Sequence, residues 1–120
     1  MRELSDVELI ARDGVWVASV RGEIDLSNAD STLRKLVDVV DEDSDGLIVD
    51  LSGLDYLDSA GVRLLFRLGR AVSESGGSLR AVVPREAKIR RVLELADIES
   101  MLGLDETADA AVEALRRRSQ

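Results

Sequence analysis

Segments with a strand pattern alternate with segments with a helix pattern along most of this chain. The predicted core strands are short and apolar, at residues 15–20, 47–51 and 79–83. Apolar residues recur with the 3.6-residue period of a helix over residues 27–40, 60–74, 85–96 and 107–118. Strands that alternate with helices of this length imply right-handed crossovers and a largely parallel sheet. We therefore predict an α/β fold with a mixed sheet of four to five strands and helices mainly on one face.

Local signals define the expected boundaries of several elements. Asp13-Gly14 is a strong hairpin turn between two strand-like segments, so the sheet should begin with an antiparallel pair. Gly22 is expected to end the second strand. Ser27 is expected to cap the first helix, with Asp30 as its capping-box partner three residues later. A short edge strand is expected over residues 101–104.

The length and the composition predict one globular domain over residues 1–120. The chain is 45% hydrophobic and 33% charged, which lies within the range of folded proteins. No basic stretch followed by an apolar run of signal-peptide length occurs near the start, and no apolar segment reaches the roughly 18 residues of a membrane span. We expect a soluble, cytoplasmic protein that does not enter a membrane.

Two residue types that carry much enzyme chemistry are missing, because the chain has no histidine and no cysteine. This excludes Ser-His-Asp and Cys-His nucleophiles, thiolate or imidazole zinc sites, and disulfides. The net charge of -8 repels a nucleic-acid backbone. We expect neither an enzyme nor a nucleic-acid-binding protein, and no cofactor.

An acidic loop imitates part of a calcium site. Asp41, Asp43, Asp45 and Gly46 match the opening of an EF-hand loop, but Ser52 stands where the bidentate Glu should be. The following residues also have a strand pattern and not the pattern of an exiting helix. We interpret the segment as a solvated helix-to-strand loop and expect no metal site.

The segment Asp58-Ser59-Ala60-Gly61 lies where a core strand passes into the second helix. One interpretation is ordinary capping, in which Asp58 or Ser59 accepts a hydrogen bond from a first-turn N–H. The other is functional, because sites in open α/β sheets lie beyond the carboxyl ends of the strands. Unpaired N–H groups at the helix start would then stabilise a phosphate on Ser59 without an added cation. Residues of this segment alone do not decide between the two interpretations.

Four segments together resemble the anti-sigma factor antagonist family, whose fold is the STAS domain. They are Gly22-Glu23-Ile24-Asp25, Leu47-Ile48-Val49-Asp50-Leu51-Ser52, Leu57-Asp58-Ser59-Ala60-Gly61-Val62 and Gly76-Gly77-Ser78-Leu79. The resemblance covers nearly the whole chain in order. One departure is Ala60, which stands where many members have a second hydroxyl residue.

The resemblance implies a partner switch controlled by phosphorylation. The unphosphorylated form would bind an anti-sigma factor that is also a serine/threonine kinase, and so free a sigma factor. Phosphorylation of Ser59 would end the binding, and a serine phosphatase would restore it. Asp25 matches the family acid beside that serine, and Asp58 matches the acid before it.

The second helix carries more apolar side chains than a single buried stripe accommodates. Either the helix is buried on two sides, or Leu64 or Leu68 stays exposed in a docking patch rimmed by arginines. With Asp25, Asp58 and Ser59, we take Gly61, Val62, Leu64 and Leu68 as candidate partner-binding residues.

Two other functions remain open at this point. The chain could be a STAS-type scaffold in a signalling or lipid-transport complex, in which Ser59 is mainly a helix cap. It could also be a carboxylate-based hydrolase using Asp25, Asp50 or Asp58, although no base or metal-ligand pattern accompanies these residues.

Overall fold

The computed structural model describes residues 5–40 and 45–118, and within them six strands form one mixed sheet. The strands are β1 (Ser5–Arg12), β2 (Val15–Ile24), β3 (Gly46–Asp50), β4 (Leu54–Leu57), β5 (Ser78–Val82) and β6 (Gly103–Asp105). The helices are α1 (Ala29–Val37), α2 (Ser59–Glu74), α3 (Arg90–Leu95) and α4 (Ala108–Arg118), with a short 3-10 helix over Ile98–Ser100.

The order across the sheet is β1-β2-β3-β5-β6, with β4 paired to β2 beside this path. Only β1 is antiparallel to its neighbour, and the other pairs are parallel. The strand β3, which is apolar on both faces, lies in the middle, as expected for a strand buried on two sides. The predicted α/β class with a mixed sheet is confirmed.

The opening hairpin forms where the sequence predicts it. Asp13 and Gly14 both have positive φ, at 51° and 82°, as a two-residue type I′ turn requires. Arg12 and Val15 flank this turn as a cross-strand pair.

Gly22 does not end β2, so that expectation is wrong. With φ at 91°, Gly22 lies where the register of β2 against β4 shifts, and the strand continues through this bulge to Ile24. Its last residues pair in parallel with β4, a strand that the sequence did not reveal. Because of this pairing the sheet has six strands, and β2 ends beside β4.

Helices cover the two faces of the sheet unequally. One large core lies between the sheet and α1, α2 and α3, and a smaller core lies under α4 on the opposite face. In the smaller core Ala111, Val112 and Leu115 of α4 are buried against Val17 and Ile48, and Ala108 is partly buried there, in agreement with the apolar period of residues 107–118. The prediction of helices mainly on one face is confirmed.

Two helix starts differ from the prediction. Asn28, not Ser27, is the N-cap of α1, so the capping box with Asp30 is wrong. The helix α3 begins at Arg90 and not at residue 85, because turns precede it, with Ala87 N donating to Pro84 O at 3.0 Å. Val92 is exposed, although it fits the apolar period predicted over residues 85–96.

The helix α2 is buried on two sides, by the sheet and by α1. Leu64 is 2% exposed and Leu68 is fully buried, so the expectation that one of them forms an exposed patch is wrong. Both side chains belong to the larger core.

No helix of the described ranges is long and apolar enough to cross a membrane. Asp41 and Asp43 of the acidic loop lie outside the residues that the structure describes. Across residues 5–40 and 45–118, no group of three acidic side chains is arranged to hold a metal ion.

Candidate functional site

Two parallel strands end side by side at one edge of the sheet. Ile24, the last residue of β2, pairs with Leu57, the last residue of β4. Asp25 and Asp58 follow directly, and Asp58 N donates to Ile24 O at 3.3 Å. Both carboxylates therefore lie at the carboxyl ends of neighbouring strands, where sites in α/β sheets form.

Asp58 is the N-cap of α2, which confirms the capping interpretation for this residue. One of its carboxylate oxygens accepts hydrogen bonds from the backbone N–H groups of Ala60 at 2.9 Å and Gly61 at 3.2 Å. Val62 N donates to the backbone oxygen of Asp58 at 3.0 Å. These first-turn donors are occupied, so the expectation that they remain unpaired for a phosphate is wrong.

Ser59 is the first residue of α2 and is exposed. Its hydroxyl makes no hydrogen bond to any residue that the structure describes, since Asp58 and not Ser59 supplies the cap. Ser59 is therefore an exposed serine with a free hydroxyl group, next to the carboxylate of Asp58.

The loop after β2 uses its serine differently. Ser27 donates from its hydroxyl to an Asp25 carboxylate oxygen at 2.5 Å, and from its backbone N–H to the same oxygen at 2.8 Å. The hydrogen bond from the Ser27 hydroxyl holds the pKa of Asp25 below its ordinary value, with smaller contributions from backbone N–H groups. Asp25 is thus an ionised acid near Asp58 at neutral pH.

Asn28 fixes this loop against the sheet. Its side-chain amide donates to Glu23 O at 2.8 Å, and its side-chain oxygen accepts from Asp25 N at 2.9 Å. The residue is nearly buried, so both amide groups are satisfied out of solvent. The backbone beside Asp25 is therefore held in one position.

Gly61 positions the start of α2. A Cβ at this residue would overlap the side chain of Leu57 and lie 3.2 Å from Cγ2 of Ile24. These two residues directly precede Asp58 and Asp25. Gly61 is buried and acts through close packing, which keeps Ser59 next to both strand ends.

Exposed apolar side chains lie near Ser59 and Asp58. Leu26 is 83% exposed and Leu95 is 76% exposed, although leucine is more often buried. A depression beside Ser59 is lined by Asp58, Ser59, Val62, Val92, Leu95 and Ala96, and a second one by Asp25, Leu26, Ser27, Tyr56 and Asp58. We call the exposed residues Leu26, Tyr56, Ser59, Val92 and Leu95, with half-buried Val62, the Ser59 surface.

The structure brings together most of the residues that the sequence nominated. Asp25, Asp58, Ser59 and Val62 meet at this edge, and Gly61 lies beneath them. Leu64 and Leu68 do not reach the surface.

Four residues of the surface were not predicted from the sequence: Leu26, Tyr56, Val92 and Leu95. Leu26 carried a usable signal, because a leucine between Asp25 and Ser27 lies outside any helical or strand pattern. The other three depend on how β4 and α3 are placed, which no local pattern specifies.

Comparison with known proteins agrees with this architecture. Residues 6–111 match the family described as the STAS domain. The chain belongs to the STAS domain family.

Individual relatives of this STAS domain extend the match. The anti-sigma-F factor antagonist RsfB of Mycobacterium tuberculosis is 29% identical over 110 residues, covering 92% of this chain and 88% of that protein. The putative anti-sigma factor antagonist BtrV of Bordetella bronchiseptica is 26% identical over 104 residues, covering 87% and 89%. A crystal structure of an anti-sigma factor antagonist from Mycobacterium paratuberculosis superposes with a TM-score of 0.82 at 29% identity, covering 93% and 94%. The resemblance to anti-sigma factor antagonists that the sequence motifs indicated is confirmed.

Proposed function

We propose that this STAS domain is an anti-sigma factor antagonist switched by phosphorylation of Ser59. In its unphosphorylated form it binds an anti-sigma factor with serine/threonine kinase activity in the cytoplasm, and thereby frees a sigma factor. The kinase phosphorylates Ser59, the complex separates, and a serine phosphatase regenerates the binding form. The names of its relatives support the anti-sigma factor as partner.

One observation carries the choice of Ser59. It is an exposed serine whose hydroxyl is free of hydrogen bonds within the described residues, and it lies in the middle of the Ser59 surface. Ser27 and Ser52 also follow acids at strand ends, but their hydroxyls donate to Asp25 at 2.5 Å and to Asp50 at 2.7 Å. A kinase therefore meets an unpaired hydroxyl only at Ser59 among these three serines.

The Ser59 surface has the composition of a docking site. Apolar side chains such as Leu26 and Leu95 gain most from being covered by a partner, and an exposed Tyr56 adds an amphipathic ring. Asp25 and Asp58 supply polar contacts between the two apolar flanks. Val62 contributes from the first turn of α2, whereas Gly61 acts by positioning that turn.

Charge gives the switch its direction. A phosphate adds about -1.5 to -2 charges at pH 7, directly beside Asp58 and near Asp25 in a chain of net charge -8. A partner that covers these groups must desolvate and juxtapose them, and like charges at an interface cost several kcal/mol. About 2.7 kcal/mol already weakens binding about 100-fold.

The protein acts in this scheme as a binding module and a kinase substrate, not as an enzyme. Ser59 has no histidine in the chain to deprotonate it. The nucleophile's base and the ATP are supplied by the kinase.

The test has two parts. The protein is incubated with ATP and anti-sigma factor kinases of its own organism, and the phosphate is mapped by mass spectrometry. We expect it on Ser59 and expect none on Ser59→Ala. A phosphate found consistently on another residue would contradict the site.

Binding affinity then tests the charge mechanism. We expect Ser59→Ala to bind the kinase as the unmodified protein does, and Ser59→Asp to bind at least about 10-fold more weakly. Ser73→Asp is the matched control, because it adds the same charge at the far end of α2, where Ser73 is also exposed. Equal affinities for the Ala and Asp variants of Ser59 would refute the mechanism, and a large stable homo-assembly without kinase binding would favour a scaffold.

A further inference from the structure

We propose that Arg63 is the counter-ion of phosphorylated Ser59 and holds the phosphate against α2. This inference rests on the proposed phosphorylation and adds the regulation of that site. In the unmodified protein the guanidinium stays exposed at the rim of the Ser59 surface, and in the modified protein the phosphate captures it.

A side-chain partner would favour the phosphate, because the backbone N–H groups of the three residues after Ser59 are occupied. Asp58 accepts the N–H groups of Ala60 and Gly61, and Val62 N bonds to the Asp58 backbone oxygen. A phosphate on Ser59 would have to displace the Asp58 carboxylate to reach the first two donors. A cation within reach avoids that cost.

Arg63 has the required position. It follows Ser59 by four residues within the continuous helix α2, so the two side chains lie one turn apart on the same face. Both residues are exposed, so neither side chain is held in the core. An acidic group N-terminal to a basic one at this spacing is the favourable orientation on a helix.

Arg63 also differs from the other arginines of its helix. Arg67 pairs with Asp30 at 3.4 Å, and Arg70 pairs with Glu74 at 3.5 Å. Arg63 has no ion pair or side-chain hydrogen bond to any residue in 5–40 or 45–118.

Among the charged groups around Ser59, Arg63 is the cation that is unpaired within the described part of the chain and lies on the helix that carries the serine. Asp58 and Asp25 are acids and repel a phosphate. The surface that α3 contributes beside Ser59 is formed by Val92, Leu95 and Ala96, which carry no charge. On the side toward α1, Arg63 lines a groove that also holds the Asp30–Arg67 ion pair, so Arg67 is already neutralised there.

Capture of Arg63 would change the surface in two ways at once. Phosphorylation adds negative charge at Ser59, and the pairing removes a free guanidinium from the rim. A partner that places an acidic group near Arg63 would lose that contact when the phosphate forms. Charge-assisted pairs between arginine and phosphate are shorter and stronger than neutral hydrogen bonds, which favours this pairing over an unpaired guanidinium.

The test uses protein in which phosphoserine is incorporated at position 59 during translation, so that no kinase is needed. The second pKa of the phosphate is measured by ³¹P NMR titration in otherwise unchanged protein and in three variants, Arg63→Gln, Arg63→Lys and Arg70→Gln. We expect Arg63→Gln to raise that pKa by roughly 0.3, because a nearby cation favours the dianion. Arg63→Lys should keep most of the effect, and Arg70→Gln should leave the pKa unchanged, although it removes the same charge from the same helix.

Two results would overturn the pairing: an unchanged phosphate pKa in Arg63→Gln, or an equal rise in Arg70→Gln. Equal thermal unfolding of the unphosphorylated variants shows that the helix is intact in each. The titration does not depend on a partner, so it can succeed when no kinase binds. Failure of the proposed function would instead appear in the kinase assays, which leaves the two failures distinguishable.

Discussion

Two segments that each contain an aspartate and a serine lie side by side at the edge of the sheet. They differ by one residue in the distance from the acid to the serine, and this decides whether the serine bonds to the acid. In Asp25-Leu26-Ser27 the serine is two residues after the acid, and its hydroxyl and backbone N–H both bond to the carboxylate. In Asp58-Ser59 the serine is one residue after the acid, so the carboxylate bonds past it to Ala60 and Gly61. The first serine is sequestered and the second is free.

Asp50 and Ser52 repeat the first arrangement after β3. The Ser52 hydroxyl and N–H bond to the Asp50 carboxylate at 2.7 Å and 3.0 Å. A serine two residues after an aspartate therefore forms the same local turn in two separate loops. With a spacing of one, the acid is a helix cap and the serine is a helix residue with a free hydroxyl, as the proposed phosphorylation requires.

The largest expected effect concerns Gly61, which packs against the residues that precede the two segments. We expect Gly61→Ala to lower the free energy of unfolding by about 1–3 kcal/mol, because the new methyl group overlaps the buried Leu57 side chain and crowds Ile24. Urea unfolding measures the change. The displacement should also disturb Asp25 and Asp58, which follow those two residues.

Gly69→Ala is the matched control for this substitution. Gly69 lies in the same helix, but its added Cβ would make an ordinary contact of 3.6 Å with Leu79. Alanine is the better helix former, so this variant should be more stable by about 0.5–1 kcal/mol. If both variants change the free energy of unfolding in the same direction, the close packing of Gly61 against Leu57 and Ile24 is not what makes that residue a glycine.

The next effect compares the two acids. We expect Asp58→Ala to lower the free energy of unfolding by about 1 kcal/mol, because two first-turn N–H groups of α2 lose their acceptor. Asp58→Asn should restore most of the loss, since asparagine caps as well as aspartate. Asp25→Ala should cost less in the same urea experiment, because Asp25 caps no helix and its hydrogen bonds lie in an exposed loop. A larger loss of unfolding free energy in Asp25→Ala than in Asp58→Ala would mean that Asp25, and not Asp58, contributes more to stability.

Local chemistry predicted much of this edge. The Asp13-Gly14 hairpin and the capping of α2 by Asp58 follow from residues next to one another in the chain, and both are found. Ser27 fails as a cap because its hydroxyl and backbone N–H bond to Asp25 instead. Asn28 occupies the cap position without a capping side-chain hydrogen bond, and its amide bonds to Glu23 O.

The remaining misses come from tertiary packing. The strand β4 has only four residues and exists through its pairing with the bulged end of β2. Apolar residues on α2 are visible in the sequence, but whether Leu64 and Leu68 are covered depends on α1, which lies against them from another part of the chain. The exposed flank at Leu95 depends in the same way on where α3 begins.

The smallest effect tests the hydrogen bond that distinguishes the two serines. Ser27→Ala should raise the pKa of Asp25 toward its ordinary value, because the hydroxyl of Ser27 is the main cause of the lowered pKa. The backbone N–H bonds remain, so part of the lowering should persist. Ser59→Ala is the control and should leave the pKa of Asp25 unchanged, since the Ser59 hydroxyl bonds to neither acid. Carbon-detected NMR titration of the carboxyl group measures both values.

The same pKa fixes the pH range in which Ser27 contributes to stability. Because folding lowers the pKa of Asp25, the contribution is fully present above the unfolded value of about 3.9 and is lost as the pH falls through the folded value. The difference in unfolding free energy between the unchanged protein and Ser27→Ala should therefore be constant near neutral pH and shrink below about pH 4. A difference that grows on acidification, or a Ser59→Ala variant with the same profile, would mean that the two serines do not differ in the way their spacing from aspartate requires.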